Sequence, residues 1–172
     1  PILNAPNLSQ LSGAEAEARQ VVESFAGKMN VIERISCLSG DILQGIYANE
    51  SRAIHVAAHG DFDPLDPRKS GIIIGYNELT KSYIYLNSSN IEQMDVIPDF
   101  VFINTCYSGK ITEQANDFSY STYGFAANVG IQFMAVGVKA VIVAGWPVYD
   151  DLAQTFATEF YKHFLEEIPF GE

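Results

Sequence analysis

Two residues in this chain have the types and neighbours that nucleophilic chemistry needs, Cys106 and His59. Cys106 closes the stretch Val101-Phe102-Ile103-Asn104-Thr105-Cys106-Tyr107-Ser108-Gly109, where an apolar run stops at a thiol and a turn of small residues. A continuous Val, Ile and Phe run suits a parallel strand covered on both faces, and ligands in such sheets gather outside the carboxyl ends of the strands. His59 holds a similar place, after the run Ala53-Ile54-His55-Val56-Ala57-Ala58 and before Gly60. Taken alone, a cysteine is more often a small core hydrophobe than a nucleophile. A histidine at a second strand end shifts that balance, because the thiolate is the attacking species and an imidazole can take its proton. Imidazole titrates near neutrality, so the same ring can later protonate a leaving amine. Gly60 lets its backbone N–H approach a substrate without a side chain in the way, and with the Cys106 N–H it is a candidate oxyanion hole. Ser108 and Gly109 keep the other side equally bare.

Competing chemistries fail on spacing. The residue six positions after Cys106 is Thr112 and not arginine, so the phosphate-cradling Cys-x5-Arg loop is absent, as are G-x-S-x-G, Walker A and G-x-G-x-x-G. Four strand residues separate His55 from His59 by about 13 Å, too far to share one ion. No metal and no cofactor are expected. His55 reads as a core or supporting histidine, His163 as solvated and Cys37 as structural. Asn104 and Thr105 are expected to satisfy the strand end, with Asn104 a weaker candidate for orienting the site.

The elements that must position these residues follow from the order of apolar runs. The chain has 172 residues, 48% of them hydrophobic, which suits a single domain, 1–172, with a real core. Two cysteines argue against a disulfide framework and for a reducing, cytoplasmic compartment. Ten basic residues against 21 acidic ones give a formal charge of -11, which disfavours nucleic acid and anionic membranes as partners. No apolar stretch has the length of a membrane span, and no secretory leader pattern opens the sequence.

Ile2-Leu3-Asn4 reads as the end of a strand, and Ile168-Pro-Phe-Gly-Glu172 as the start of a further helix, so the chain is expected to be an excised segment. Between them the spacing predicts a helix opened by a Ser12/Glu15 capping box and striped by Ala16, Ala18, Val21, Val22 and Phe25, with Gly27 as its stop. A strand over Val31–Ser36 and a short helix from Ser39 through Tyr47 come next. After the His59 strand, a turn-rich loop leads to a small accessory surface hairpin, Ile72–Ile74 with Tyr83–Leu86. A short helix from Ser89 to Met94 precedes the Cys106 strand. Residues 109–122 read as a long polar loop, of which 110–122 is expected to be mobile, and loops of that length are often functional. A helix from Gly124 to Val136 ends at Gly137, and a strand from Lys139 to Ala144 reaches Trp146-Pro147. The last helix, Asp150–Glu167, is amphipathic through Leu152, Phe156, Phe160 and Phe164. Alternating strands and helices predict a doubly wound, mainly parallel α/β sheet with helices on both faces. Its carboxyl edge gathers His59, Cys106 and the Trp146 turn.

These residues resemble a known family. Leu11-Ser-Gly-Ala-Glu-Ala-Glu-Ala18, Ala57-Ala-His-Gly60, Pro67-Arg-Lys-Ser-Gly71, Cys106-x-Ser-Gly109 and Trp146-Pro-Val148 with following acids occur in the order found in CHAT domains, the caspase-like modules associated with tetratricopeptide repeats. The resemblance implies a caspase-like fold, a Cys106–His59 dyad, and Gly60 with Cys106 as oxyanion donors. It also implies a cysteine endopeptidase acting on a partner protein, under a helical-repeat or other sensor domain on the same or a partner chain. Caspase-like enzymes commonly order loops around the cysteine on activation, so the dyad is expected farther apart than a hydrogen bond here. The alternative is a catalytically silent interaction module. Tyr149 departs from the family, in which many members carry an acid there. The Trp146-x-Val148-x-Asp150 pattern is similar to that of separases, which cut after arginine. This implies that Asp150, with Trp146, Ser108 and Gly109, binds substrate and prefers a basic residue before the cut. Equally, Asp150 can simply cap the last helix.

Overall fold

In the computed structural model, residues 8, 11–48, 51–61, 63, 65, 70–107, 115–144 and 150–166 are described, with the backbone alone for 106, 107, 115–123, 125 and 150. Its centre is a five-stranded sheet in the order β3-β2-β1-β4-β5. The strands are β1 (Ala53–Asp61), β2 (Gly71–Asn77), β3 (Ser82–Leu86), β4 (Phe100–Tyr107) and β5 (Ala140–Val143). β1, β4 and β5 run parallel, as the buried apolar runs predict, while β2 and β3 are antiparallel to their neighbours.

Helices cover both faces. On one side α1 (Ser12–Phe25) and α5 (Asp150–Leu165) pack Val21, Phe25, Ala157 and Tyr161 against Phe100 and Phe102. On the other, α2 (Ser39–Ala48), α3 (Ser88–Glu92) and α4 (Ala115–Ala135) surround Val101, Ile103, Ile72, Ile74 and Leu86. The alternation of β4 is thus read twice, its even positions toward α1 and α5 and its odd ones toward α2 to α4.

Several expectations need correction. The hairpin is no accessory: β2 is buried over Gly71–Gly75, and its pairing with His59, Gly60 and Asp61 extends β1 past the histidine. Gly71 makes the approach possible, since its φ of +144° is open to glycine and a Cβ there would meet Leu86 O at 2.4 Å. Val31–Ser36 forms no strand. It stands across a cleft of about 1070 Å³ from β1, whose Ala53–Ala58 side has no strand neighbour among the described residues, so no ladder bonds hold it extended. The capping box is not made either. Helix α1 begins one residue earlier than that motif requires, with Leu11 at the cap, and Glu15 turns instead to Arg19 at 2.8 Å. Gly27, at φ +74°, follows the end of that helix as expected.

Helix α4 starts at Ala115, so residues 115–122 are helical and not part of a polar loop. Those residues show no apolar period, and the packing of the later turns, Val129 and Phe133, carries the helix back through them. In α5 the inner face is one position off the expected stripe. Ala153, Ala157 and Tyr161 are buried, whereas Leu152 and Phe156 are 58% and 57% exposed. Small residues let α5 lie close to α1, and the phenylalanines instead stack over β4, Phe100 with Phe160 and Phe164.

Two predictions arise from this frame. Gly40 lies in α2 with nothing within 4 Å of an added Cβ. Gly40→Ala is therefore expected to stabilise the protein by about 0.5 kcal/mol, by restricting the unfolded chain, and a lower denaturation midpoint would contradict this. Asp99 links the starts of three strands, accepting from Lys139 Nζ at 2.6 Å and from Arg52 Nη2 at 3.0 Å. Lys139 first, then Arg52, holds its carboxyl below the ordinary carboxylate range. A carboxyl depressed in the folded state stabilises above its unfolded pKa and loses that effect as pH falls through the folded one. The melting-temperature gap between wild type and Asp99→Asn should accordingly shrink on acidification, and a gap independent of pH would rule the linkage out.

Candidate active site

His59 and Cys106 are brought together by the sheet. β1 and β4 are adjacent and parallel, and their register sets His59 opposite Cys106 and Gly60 opposite Tyr107. Partners on neighbouring strands lie about 5 Å apart. The 106 − 59 = 47 residues between them are thus closed by one ladder rung. His59 is buried, 5% exposed, at the head of β1. Gly60 is also buried and faces Ile72 of β2 on its other side. Asp150 is the first residue of α5. Trp146, Ser108 and Gly109 lie outside the described residues, as do the loop positions 110–114 and the Cys106 thiol, so the expected dyad separation lies outside them too.

Beyond the dyad, the head of β1 is fastened to the hairpin. Tyr85 of β3 donates its hydroxyl to Asp61 Oδ2 at 3.0 Å, two residues past His59. Burial, and then the Asp61 carboxylate, push that phenol well above its ordinary range, so it stays a donor.

Below the dyad lies a polar cluster that the sequence reading anticipated only in pieces. Glu17 of α1 is 2% exposed. Its Oε2 accepts from Asn104 Nδ2 at 2.6 Å, and its Oε1 lies 3.0 Å from His55 Nε2. That second contact is a close approach without the geometry of a directed hydrogen bond, and neither atom has one elsewhere among the described residues. His55 Nδ1 meets the Tyr161 hydroxyl at 3.1 Å. Facing a carboxylate, Nε2 carries the ring proton, so in the neutral ring Nδ1 accepts from Tyr161. Burial and then Glu17 raise the Tyr161 phenol far above its ordinary range, which keeps that donor in place.

His55 is therefore held between Glu17 and Tyr161, and Asn104 donates to the buried Glu17 carboxylate. Thr105, by contrast, lies on the opposite face with its hydroxyl buried and unbonded among the described residues. Glu17 and Tyr161 were missed. The available signal was a charged residue at the i position of the Glu17, Val21, Phe25 face of α1, where only apolar residues belong.

Among the described residues no group of His, Cys, Asp or Glu is arranged to hold a metal, and no helix is long and apolar enough to cross a membrane. Cys37 is a half-buried free thiol outside the β1–β4 pair. The CHAT domain family model matches residues 3–170. The chain belongs to the CHAT domain family. This family is caspase-like, and the α/β sheet with helices on both faces agrees with that. No curated protein and no solved structure matched this CHAT domain.

Proposed function

We propose that this CHAT domain is a cysteine endopeptidase that cleaves a partner protein with Cys106 as nucleophile and His59 as base and then acid. The supporting observation is the register of β1 and β4, which faces a histidine and a cysteine across one rung at the head of the two strands. His59 takes the thiol proton as the sulfur attacks the scissile carbonyl carbon. The N–H groups of Gly60 and Cys106 receive the resulting oxyanion. As the C–N bond breaks, the imidazolium gives its proton to the leaving amine, and an S-acyl thioester remains. Water then attacks the thioester, His59 accepts its proton and returns one to the departing sulfur, and the carboxylic product leaves.

Asp150, at the N-terminus of α5, is assigned to the pocket for a basic residue before the cut, with Trp146, Ser108 and Gly109 around it. The paucity of cysteine supports a reducing, cytoplasmic setting, in which the thiol stays available. Control by a helical-repeat or other sensor domain, on this or a partner chain, belongs to the same reading. Exposing a mixed peptide library to the full-length protein and sequencing the new termini tests it. Cuts following arginine or lysine are expected. An intact library under conditions where the domain still binds a partner would favour the interaction-module reading instead.

A further inference from the structure

The cluster around Glu17 is an expensive thing to build. Removing a carboxylate from water costs several kcal/mol even after relaxation, and apolar groups of similar volume usually serve stability as well or better. Its geometry has a particular property. The two oxygens of one carboxylate go to the two strands that carry His59 and Cys106, Oε1 to His55 of β1 and Oε2 to Asn104 of β4. In the ladder, His55 faces Phe102, Ala57 faces Asn104 and His59 faces Cys106. Glu17 spans the first two of these rungs, and the dyad is the third. Each step between them is two strand residues, about 7 Å. On the far side of the imidazole, Tyr161 of α5 holds Nδ1.

We propose that Glu17 is a positioning residue for the Cys106–His59 pair. Its carboxylate clamps β1 to β4 immediately below the site, and it makes the approach of imidazole to thiol depend on how α1 is seated on the sheet. The proposal rests on the peptidase reading. A Glu17 that merely fastened α1 to the sheet would affect melting temperature and leave the reactivity of Cys106 in the folded protein as it is.

The distinguishing measurement is the rate at which iodoacetamide alkylates Cys106 in the full chain, from mildly acidic to mildly alkaline pH. Peptide mass spectrometry resolves the site, so Cys37 serves as an internal reference. Glu17→Gln keeps the volume and the bond from Asn104 but takes the negative charge away from His55 Nε2, so this variant should fold while its hold on β1 is weakened. We expect its Cys106 to react about fivefold more slowly at neutral pH, modest beside the roughly hundredfold that a 1 Å misplacement can cost. The half-maximal pH should rise, in the same direction as in His59→Ala, with Cys37 unaffected. A wild-type Cys106 profile in Glu17→Gln, alongside a slowed His59→Ala, overturns the positioning role and spares the dyad. An unaltered His59→Ala overturns the dyad and the positioning role together. Should the melting curve of Glu17→Gln show an unfolded chain, Asn104→Ser removes the hold on β4 instead. The same slowing is expected there, and its absence is equally decisive.

Discussion

Cys106→Ala and His59→Ala are each expected to reduce peptide cleavage by at least about a thousandfold, with the double variant no worse than either, as for residues that act as one unit. The size follows from the mechanism. Without the thiol no thioester forms, and without the imidazole neither the thiolate nor a protonated leaving group is supplied. Cys106→Ala removes a single sulfur atom and should melt near the wild type, whereas His59 is 5% exposed, so His59→Ala should melt lower while remaining folded at the assay temperature. Cys37→Ala should retain activity, because residue 37 lies outside the rung that joins His59 to Cys106. Steady-state cleavage of one peptide by the four variants decides the matter, and loss of activity in Cys37→Ala with retention in Cys106→Ala would falsify the assignment.

The second large effect is expected at Asp150. A desolvated carboxylate in the pocket would bind a guanidinium through two charge-assisted hydrogen bonds, and the net charge of -11 would draw basic segments toward the domain. Asp150 also opens α5, where an acid is favourable for the helix alone. As the first residue of α5 Asp150 would serve the helix through its charge, an effect of about 0.3–1 kcal/mol at a surface, so Asp150→Asn sets a small change in stability against a large one in turnover. Turnover of peptides with arginine before the cut should fall at least about tenfold, roughly 1.4 kcal/mol of transition-state stabilisation. Melting temperature should barely move. Unchanged kinetics, or a wild-type preference for an apolar residue, would remove Asp150 from the pocket and leave the dyad intact.

How much of this was legible beforehand depended on the range of the forces involved. The runs Ala53–Ala58 and Val101–Ile103 announce buried parallel strands by composition alone, and the two strand ends they define do become register partners. Local patterns failed where a tertiary partner decided the outcome. Val31–Ser36 has the composition of a strand but, among the described residues, no strand neighbour to complete its hydrogen bonds. Residues 115–122 have no stripe, yet they extend a helix whose later turns are anchored by Val129 and Phe133. In α5 the large side chains suggested the inner face, while Ala153, Ala157 and Tyr161 are the buried positions, and Ala157 with Tyr161 packs with Val21 and Phe25 of α1. The Glu17 cluster is built from direct contacts between residues up to 106 positions apart, so only the assembled sheet shows that one carboxylate touches both dyad strands. Its traces in the sequence were single polar residues on apolar faces, Glu17 in α1, His55 in β1 and Asn104 in β4.

The central claim is that Cys106 is a nucleophile activated by His59, and covalent trapping tests it most directly. The full chain would be incubated with a peptidyl acyloxymethyl ketone ending in arginine, which alkylates activated thiolates, and the adduct located by peptide mass spectrometry. The account predicts one adduct per chain, on Cys106, absent in Cys106→Ala and strongly slowed in His59→Ala. Labelling of Cys37 with Cys106 untouched, or labelling of Cys106 at the same rate in His59→Ala, would contradict it.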